Sequence, residues 1–227
     1  MHRWIRFKLE VGWRVSGFCE QHPAACAAAP RQLDRLAACL AEAERCAHEL
    51  LHWRRAGLAA TGARNRSRRD LQAHELRVVI DLLRAAARRA PGHVTPYPMP
   101  PFRANEQDVR SACTLAANEA DRAAAFVRLV GLLPDDVARL RAGLAEWERL
   151  GRQARTAVQR RVEATAGLAA RAAELLDIIH LLDAVMRSAF RRDPAARAAW
   201  HNARHIPWPA RRRRADPEPP ITAAPGR

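Results

Sequence analysis

Residues 135–193 read DDVARLRAGLAEWERLGRQARTAVQRRVEATAGLAARAAELLDIIHLLDAVMRSAFRRD. The stretch holds no proline, and one stripe runs along it through Val137, Leu140, Leu144, Trp147, Ala154, Val158, Val162, Ala169, Leu176, Ile179, Leu182, Met186 and Phe190. Steps of three, four or seven residues stack side chains on one edge of an α-helix. The stretch therefore predicts one very long helix, or two stacked end to end, that buries this edge. A helix of about 55 residues spans roughly 80 Å at 1.5 Å per residue, longer than the remaining helices can cover throughout. The fold class that follows is an all-α, elongated helical bundle with long antiparallel, coiled-coil-like helices, and part of the stripe is expected to meet another copy of the chain.

Downstream, Asp193-Pro194 supplies a cap and a first-turn proline for a short C-terminal helix reaching about Arg204, with Trp200 as its apolar anchor. Past Pro207 the composition turns to proline, arginine and acids. This predicts a disordered tail over 207–227 behind a single bundle domain over 1–206. Upstream, Gly131 and Pro134 mark a stop and a restart, and a helix is expected over 105–130. Pro96, Pro98, Pro100 and Pro101 keep Thr95–Phe102 out of any helix. That segment reads as an extended connector with Tyr97 and Phe102 tucked against the bundle end, in preference to a ligand for a proline-recognising domain.

A further helix is expected from 31 to 89. Its stripe runs Leu33, Leu36, Leu40, Ala43, Ala47, Leu50, Leu51, Leu58 and resumes with Leu71, Val78, Val79, Leu82, Leu83 and Ala86. Gly57, Gly62 and residues 65–67 weaken its middle, which leaves continuity through Gly62 open. His22-Pro23 reads as a loop. In the first segment Ile5, Phe7, Leu9, Val11, Trp13 and Val15 alternate with polar residues and glycine, the period of a strand. A lone strand leaves its backbone groups unpaired, and nothing else alternates this way, so the segment is taken as a helix apolar on both sides.

A short first helix, a long helical hairpin and the closing Phe190, Asp193-Pro194, Ala199-Trp200 and Ala203-Arg204 element resemble helical-bundle proteins of high-GC bacteria that carry no assigned function. The resemblance implies helices and brings no activity, cofactor or site with it.

The chain has 227 residues and a net charge of +15, and all but one of its 39 basic residues are arginine, Lys8 being the exception. Such a charge attracts nucleic acid, anionic lipid or acidic partners. Arginine, alanine and proline share GC-rich codons, so part of the surplus is coding bias, although bias does not explain the shortage of acids. The excess sits in three places: Arg3, Arg6, Lys8 and Arg14; Arg54, Arg55, Arg64, Arg66, Arg68 and Arg69; and a tail with Arg204, Arg211, Arg212, Arg213 and Arg214. Joined on one face they form a phosphate-binding surface, and separated they serve solubility.

The first residues lack an uninterrupted apolar core, and no stretch is apolar enough to span a bilayer, which points to a cytoplasmic protein. Cys19, Cys26, Cys39, Cys46 and Cys113 form no Cys-x-x-Cys pair, and Cys39 and Cys46, seven apart on one helix face, read as small buried thiols. Glu49-x-x-His52 and Asp177-x-x-His180 have the spacing of the carboxylate–histidine pairs of di-metal helical bundles. Helical angles turn Glu49 and His52 more than about 90° from the apolar stripe and point Asp177 away from Ile179 and Leu176, so the pairs read as surface residues. Glu44, His48 and His52 share a face without a partner from another helix. Cys113 and His180 carry no local signature of a nucleophilic site, and no glycine-rich phosphate loop is present.

No enzyme activity and no cofactor are therefore expected. The leading reading is a non-enzymatic interaction or scaffold protein that self-associates. The alternative is a sequence-nonspecific nucleic-acid-binding protein using the arginine clusters, and the third is a di-metal carboxylate enzyme built on Glu49, His52, Asp177 and His180.

Overall fold

The computed structural model describes residues 3–205, all helices and connections, with no strand among them. The helices are α1 (Arg3–Gln21), α2 (Pro23–Cys26), α3 (Pro30–Asp70), α4 (Arg77–Arg89), α5 (Glu106–Arg122), α6 (Ala124–Arg128), α7 (Pro134–Ala189) and α8 (Pro194–Arg204), and a π-helical turn, Leu71–Leu76, joins α3 to α4. The fold is an all-α bundle. Proline begins α2, α3, α7 and α8, where its missing N–H would have no partner in any case. Asn105 caps α5 by accepting from the Asp108 N–H at 2.9 Å, and Asp193 caps α8 by accepting from the Ala196 N–H at 3.0 Å. Gly131, at φ 87°, makes the left-handed turn that releases the chain into α7.

Several expectations are corrected in detail. The helix across 31–89 is continuous through Gly62 but passes through the π-helical turn. The expected helix over 105–130 breaks at Ala123 (φ −97°, ψ 22°) into α5 and α6. The loop at His22-Pro23 contains α2. The first segment is a helix that buries Leu9, Val11, Val15 and Phe18 and leaves Trp13 exposed. In the proline connector Tyr97 and Met99 pack on the core, whereas Phe102 is 64 % exposed. The tail over 207–227, with Arg211 to Arg214, lies outside the described residues.

The expected stripe of α7 is buried at Val137, Leu140, Trp147, Ala154, Ile179, Leu182, Met186 and Phe190, but its middle follows a different path from the one its bulky residues suggest. Leu140, Trp147, Ala154, Leu168, Leu175 and Leu182 lie on a seven-residue spacing interrupted only by exposed Arg161 and are buried, as are Leu150, Ala157, Ala164 and Ile178. Val158, Val162 and Ala169 face outward. On α3, Leu36, Cys39, Leu40 and Ala43 are buried, but no residue from Glu44 to Asp70 is, and Leu51 and Leu58 point away from the seam. Small residues allow this close packing. A methyl group on Gly57 would lie 3.6 Å from Ala157 Cβ, and one on Gly167 would meet Cys46 Sγ at 3.2 Å.

The chain divides into two compact units, residues 1–44 with 168–227, and residues 45–167. In the first, α1 packs on α3 and α7 so tightly that Gly12 faces Leu40 and Leu175, and α8 closes over α1 with Trp200 5.3 Å and Phe190 5.8 Å from Phe18, ring centre to ring centre. In the second, α4, α5, α6 and the start of α7 bury Val79, Ile80, Leu83, Val109, Cys113, Ala116, Val127, Leu140 and Trp147 around one core. Glu119, buried in that unit, accepts from the Thr95 N–H at 2.6 Å and from Arg122, and so pins the start of the proline connector. No described helix is long and apolar enough to cross a membrane.

Candidate functional site

Of the N-terminal and C-terminal basic clusters, Arg14 and Arg204 are engaged in packing, and Arg211 to Arg214 lie outside the described residues. Arg14 donates to the carbonyl oxygens of Asn202 and His205, placing a cation at the carbonyl end of α8. Arg204 Nε lies 3.1 Å from the Asp183 carboxylate, which also accepts from Trp200 Nε1 at 2.8 Å and pairs with Arg187 at 2.5 Å. Arg3 and Lys8 lie over the rings of Phe7 and Trp4.

The run from Arg54 to Arg69 splits in two. Arg64 crosses α7 at Gly151, passes 5.5 Å from the Trp147 ring centre and pairs with Glu106, whose carboxyl is held below its ordinary value by the Arg64 hydrogen bond. Arg68 donates to Gln72 Oε1 and to the Ala104 carbonyl, and Arg69 reaches back to the Asn65 carbonyl. These three hold the fold. Arg54, Arg55 and Arg66 are exposed and have no acid partner among the described residues.

The structure sets this run beside a second one that single-helix counting overlooked. α3 and α7 are antiparallel here, with Cys46 level with Gly167, Gly57 with Ala157, and Arg64 with Gly151. Residues 52–65 therefore lie along 149–162, which contain Arg149, Arg152, Arg155, Arg160 and Arg161 and no acid. Arg149 pairs with Glu146 and Arg160 with Glu163, each three residues away, while Arg152 and Arg161 are exposed without an acid partner among the described residues. Eight arginines thus occupy two facing stretches that contain no aspartate or glutamate, and Arg66, Arg68 and Arg69 follow where α7 carries Glu146 and Glu148. The signal was present in the sequence, but only the antiparallel register brings its two halves together.

Large apolar side chains are exposed in the same section: Leu58 at 69 %, Val162 at 59 %, Leu51 at 51 % and Val158 at 47 %. On the other side of the pair an open groove of about 690 Å³ is lined by Cys46, His48, Glu49, His52, Trp53, Thr156, Arg160 and Glu163. It continues past Trp53 and Thr156 toward Ala60 and Arg149.

The candidate metal ligands behave as surface residues. Glu49 and His52 are exposed at the groove, with the His52 ring edge-on to Trp53 at 4.8 Å, and Glu44 and His48 are exposed as well. Asp177 and His180 are exposed in the other unit. Among the described residues no group of three histidines, cysteines or carboxylates is placed to hold a metal.

Cys113 lies inside the core, where burial pushes its thiol up to about 12, so it is protonated at neutral pH. Burial and the nearby Glu174 push Cys39 up to about 11, and Cys39 donates to the Arg171 carbonyl. Cys19, Cys26, Cys39 and Cys113 are buried, and Cys46 is partly so. No protein family, no curated protein and no solved structure matches the chain.

Proposed function

We propose that the chain is a non-enzymatic helical interaction protein whose binding surface is the antiparallel, coiled-coil-like pair formed by residues 46–69 and 149–162, and that its partner is acidic. The observation that carries this reading is the coincidence of eight arginines on two facing acid-free stretches, Arg54, Arg55, Arg152 and Arg161 among them without an acid partner among the described residues, with four exposed large aliphatic side chains. Charge alone serves solubility, and scattered exposed leucines are ordinary. Their combination on one short section is the composition of a surface that both attracts and packs. Self-association through this section would set like-charged stretches against each other, which costs free energy and favours an oppositely charged partner.

Heparin chromatography tests the reading. A variant with Arg54, Arg55, Arg66, Arg152 and Arg161 replaced by glutamine should elute at clearly lower salt than the parent, since each neutralised contact lowers the salt dependence of binding by about one ion. Equal elution of the two proteins would remove this section as the binding surface.

The second reading, a sequence-nonspecific nucleic-acid binder, draws on the same arginines. It predicts duplex binding that is insensitive to base sequence and weakens steeply with salt. Replacing Leu58 or Val162 should then leave binding unchanged.

A further inference from the structure

We propose that the side of the α3–α7 pair carrying Leu51, Leu58, Val158 and Val162 receives an acidic amphipathic helix of a partner protein, completing a three-helix packing there. The proposal rests on the interaction reading above and narrows it to one side of the pair and one kind of occupant.

Helical angle defines the side. At 100° per residue, every seventh residue returns to almost the same face. Along α7 one such column is Val137, Leu144, Gly151, Val158, Thr165, Ala172, Ile179 and Met186. All are buried or half-buried except Val158. In the first unit, the corresponding side of α3 carries Leu40, and there α1 lays Gly12 against Leu40 and Leu175. A third helix is thus the covering this side of the pair takes within that unit. At Val158 the described residues provide none.

The register then gathers the exposed aliphatic groups. With Gly57 level with Ala157, Val162 comes level with His52, beside Leu51, and Val158 with Ala56, two residues from Leu58. Leu51 and Leu58 are one seven-residue step apart, and Val158 and Val162 one helical turn, so the four form a patch about 10 Å long on one side. Such a patch matches the apolar stripe of a single helix.

Charge selects the occupant. Arg54 shares this side of α3, Arg155 this side of α7, and Arg55 and Arg161 lie on adjoining faces, with no acid in either stretch. A second copy of the chain would present the same arginines. Residues 206–227 contain Arg211 to Arg214 and carry the same sign. A nucleic acid satisfies the arginines but offers nothing apolar to Leu58 and Val162. A helix with aliphatic residues on one stripe and glutamates beside it satisfies both.

The test uses the full chain and a labelled peptide of about 28 residues, with leucine at two positions of each heptad and glutamate flanking them, long enough to form helix when docked. Three comparisons accompany it: a scrambled peptide of the same composition, duplex DNA of about 20 base pairs, and sedimentation of the protein alone. The patterned peptide should bind at least about tenfold more tightly than the scrambled one and gain helicity on binding. The double variant Leu58→Gln, Val162→Gln should lose that difference while heparin retention stays unchanged.

Equal binding of both peptides, or an unaffected double variant, would overturn the proposal while leaving the basic surface standing. Duplex binding tighter than that of the patterned peptide would overturn it in favour of nucleic acid. A dimer in sedimentation that the double variant abolishes would overturn it in favour of a second copy. Loss of heparin retention in the arginine variant is the separate check on the underlying reading.

Discussion

Asp183 shows how a single charged residue is made useful inside a helical bundle. Burial alone would raise its carboxyl, but the hydrogen bonds from Trp200 and Arg187 and the charge of Arg204 outweigh burial and hold it below its ordinary value. It ties α8 to α7 while giving the buried indole N–H its acceptor. Asp183→Ala is expected to cost about 2–4 kcal/mol in urea denaturation, because it leaves that N–H unsatisfied, and Asp183→Asn, which keeps an acceptor, should cost less. A depressed acid contributes stability that is present above its unfolded value, about 3.9, and is lost as pH falls through the folded one. The Asn variant should therefore show a flatter stability profile below about pH 4 than the parent, and parallel profiles would show that Asp183 is not what responds. Gly12 makes a second residue-scale case. A methyl there would lie 3.0 Å from Leu40 and 3.1 Å from Leu175, both buried, whereas Gly17 has open space around it. Thermal melts should find Gly12→Ala destabilising by about 1–3 kcal/mol and Gly17→Ala stabilising by about 0.5–1 kcal/mol, opposite signs from the same chemical change in the same helix.

At the scale of the element, the seam of α7 separates size from burial. Ala157 and Ala164 are buried, while Val158 and Val162 beside them are exposed. Val158→Gln and Val162→Gln should each change stability by less than about 0.5 kcal/mol, whereas Ala157→Leu and Ala164→Leu should cost about 1–3 kcal/mol by forcing the helices apart. The reverse order in a denaturation series would mean that the seam lies where the bulky residues suggest. This is also where the sequence was legible and where it was not. Long apolar periodicity, the helix-starting Pro30, Pro134 and Pro194 and the Asp193 cap announce α3, α7 and α8 because each is a local signal. The middle of the seam was misread because a glycine–alanine contact has almost no hydropathy, so the exposed valines supplied a stronger but misleading period. The π-helical turn and the break at Ala123 have no signature in the local pattern. The candidate site was half visible: the run from Arg54 to Arg69 stands out by density, but the five arginines from Arg149 to Arg161 matter only through their antiparallel register with it.

Across the whole molecule, charge and burial are distributed in opposition. Where α1 and α8 pack on the long helices, and where α4, α5 and α6 do, the cores hold fully buried leucines and tryptophans. Residues 46–63 and 152–163 hold Arg54, Arg55, Arg152 and Arg161, exposed and without an acid partner among the described residues, and, apart from Ala154 and Ala157, nothing buried. Local stability follows buried contacts, so backbone amides of this section should open more readily than those of the same helices elsewhere. Hydrogen exchange followed by mass spectrometry is expected to give protection about 10- to 100-fold lower in residues 46–63 and 152–163 than in residues 77–86 and 168–186. Because α7 is one uninterrupted helix, a change of protection within it reports packing and not secondary structure. Raising salt should increase protection in this section by screening repulsion among the arginines, while leaving the paired Arg110–Glu148 and Arg122–Glu119 regions nearly unchanged. Uniform protection along α7 at low salt would mean that the two-helix section needs no further covering, and the interaction surface would lose its physical motive.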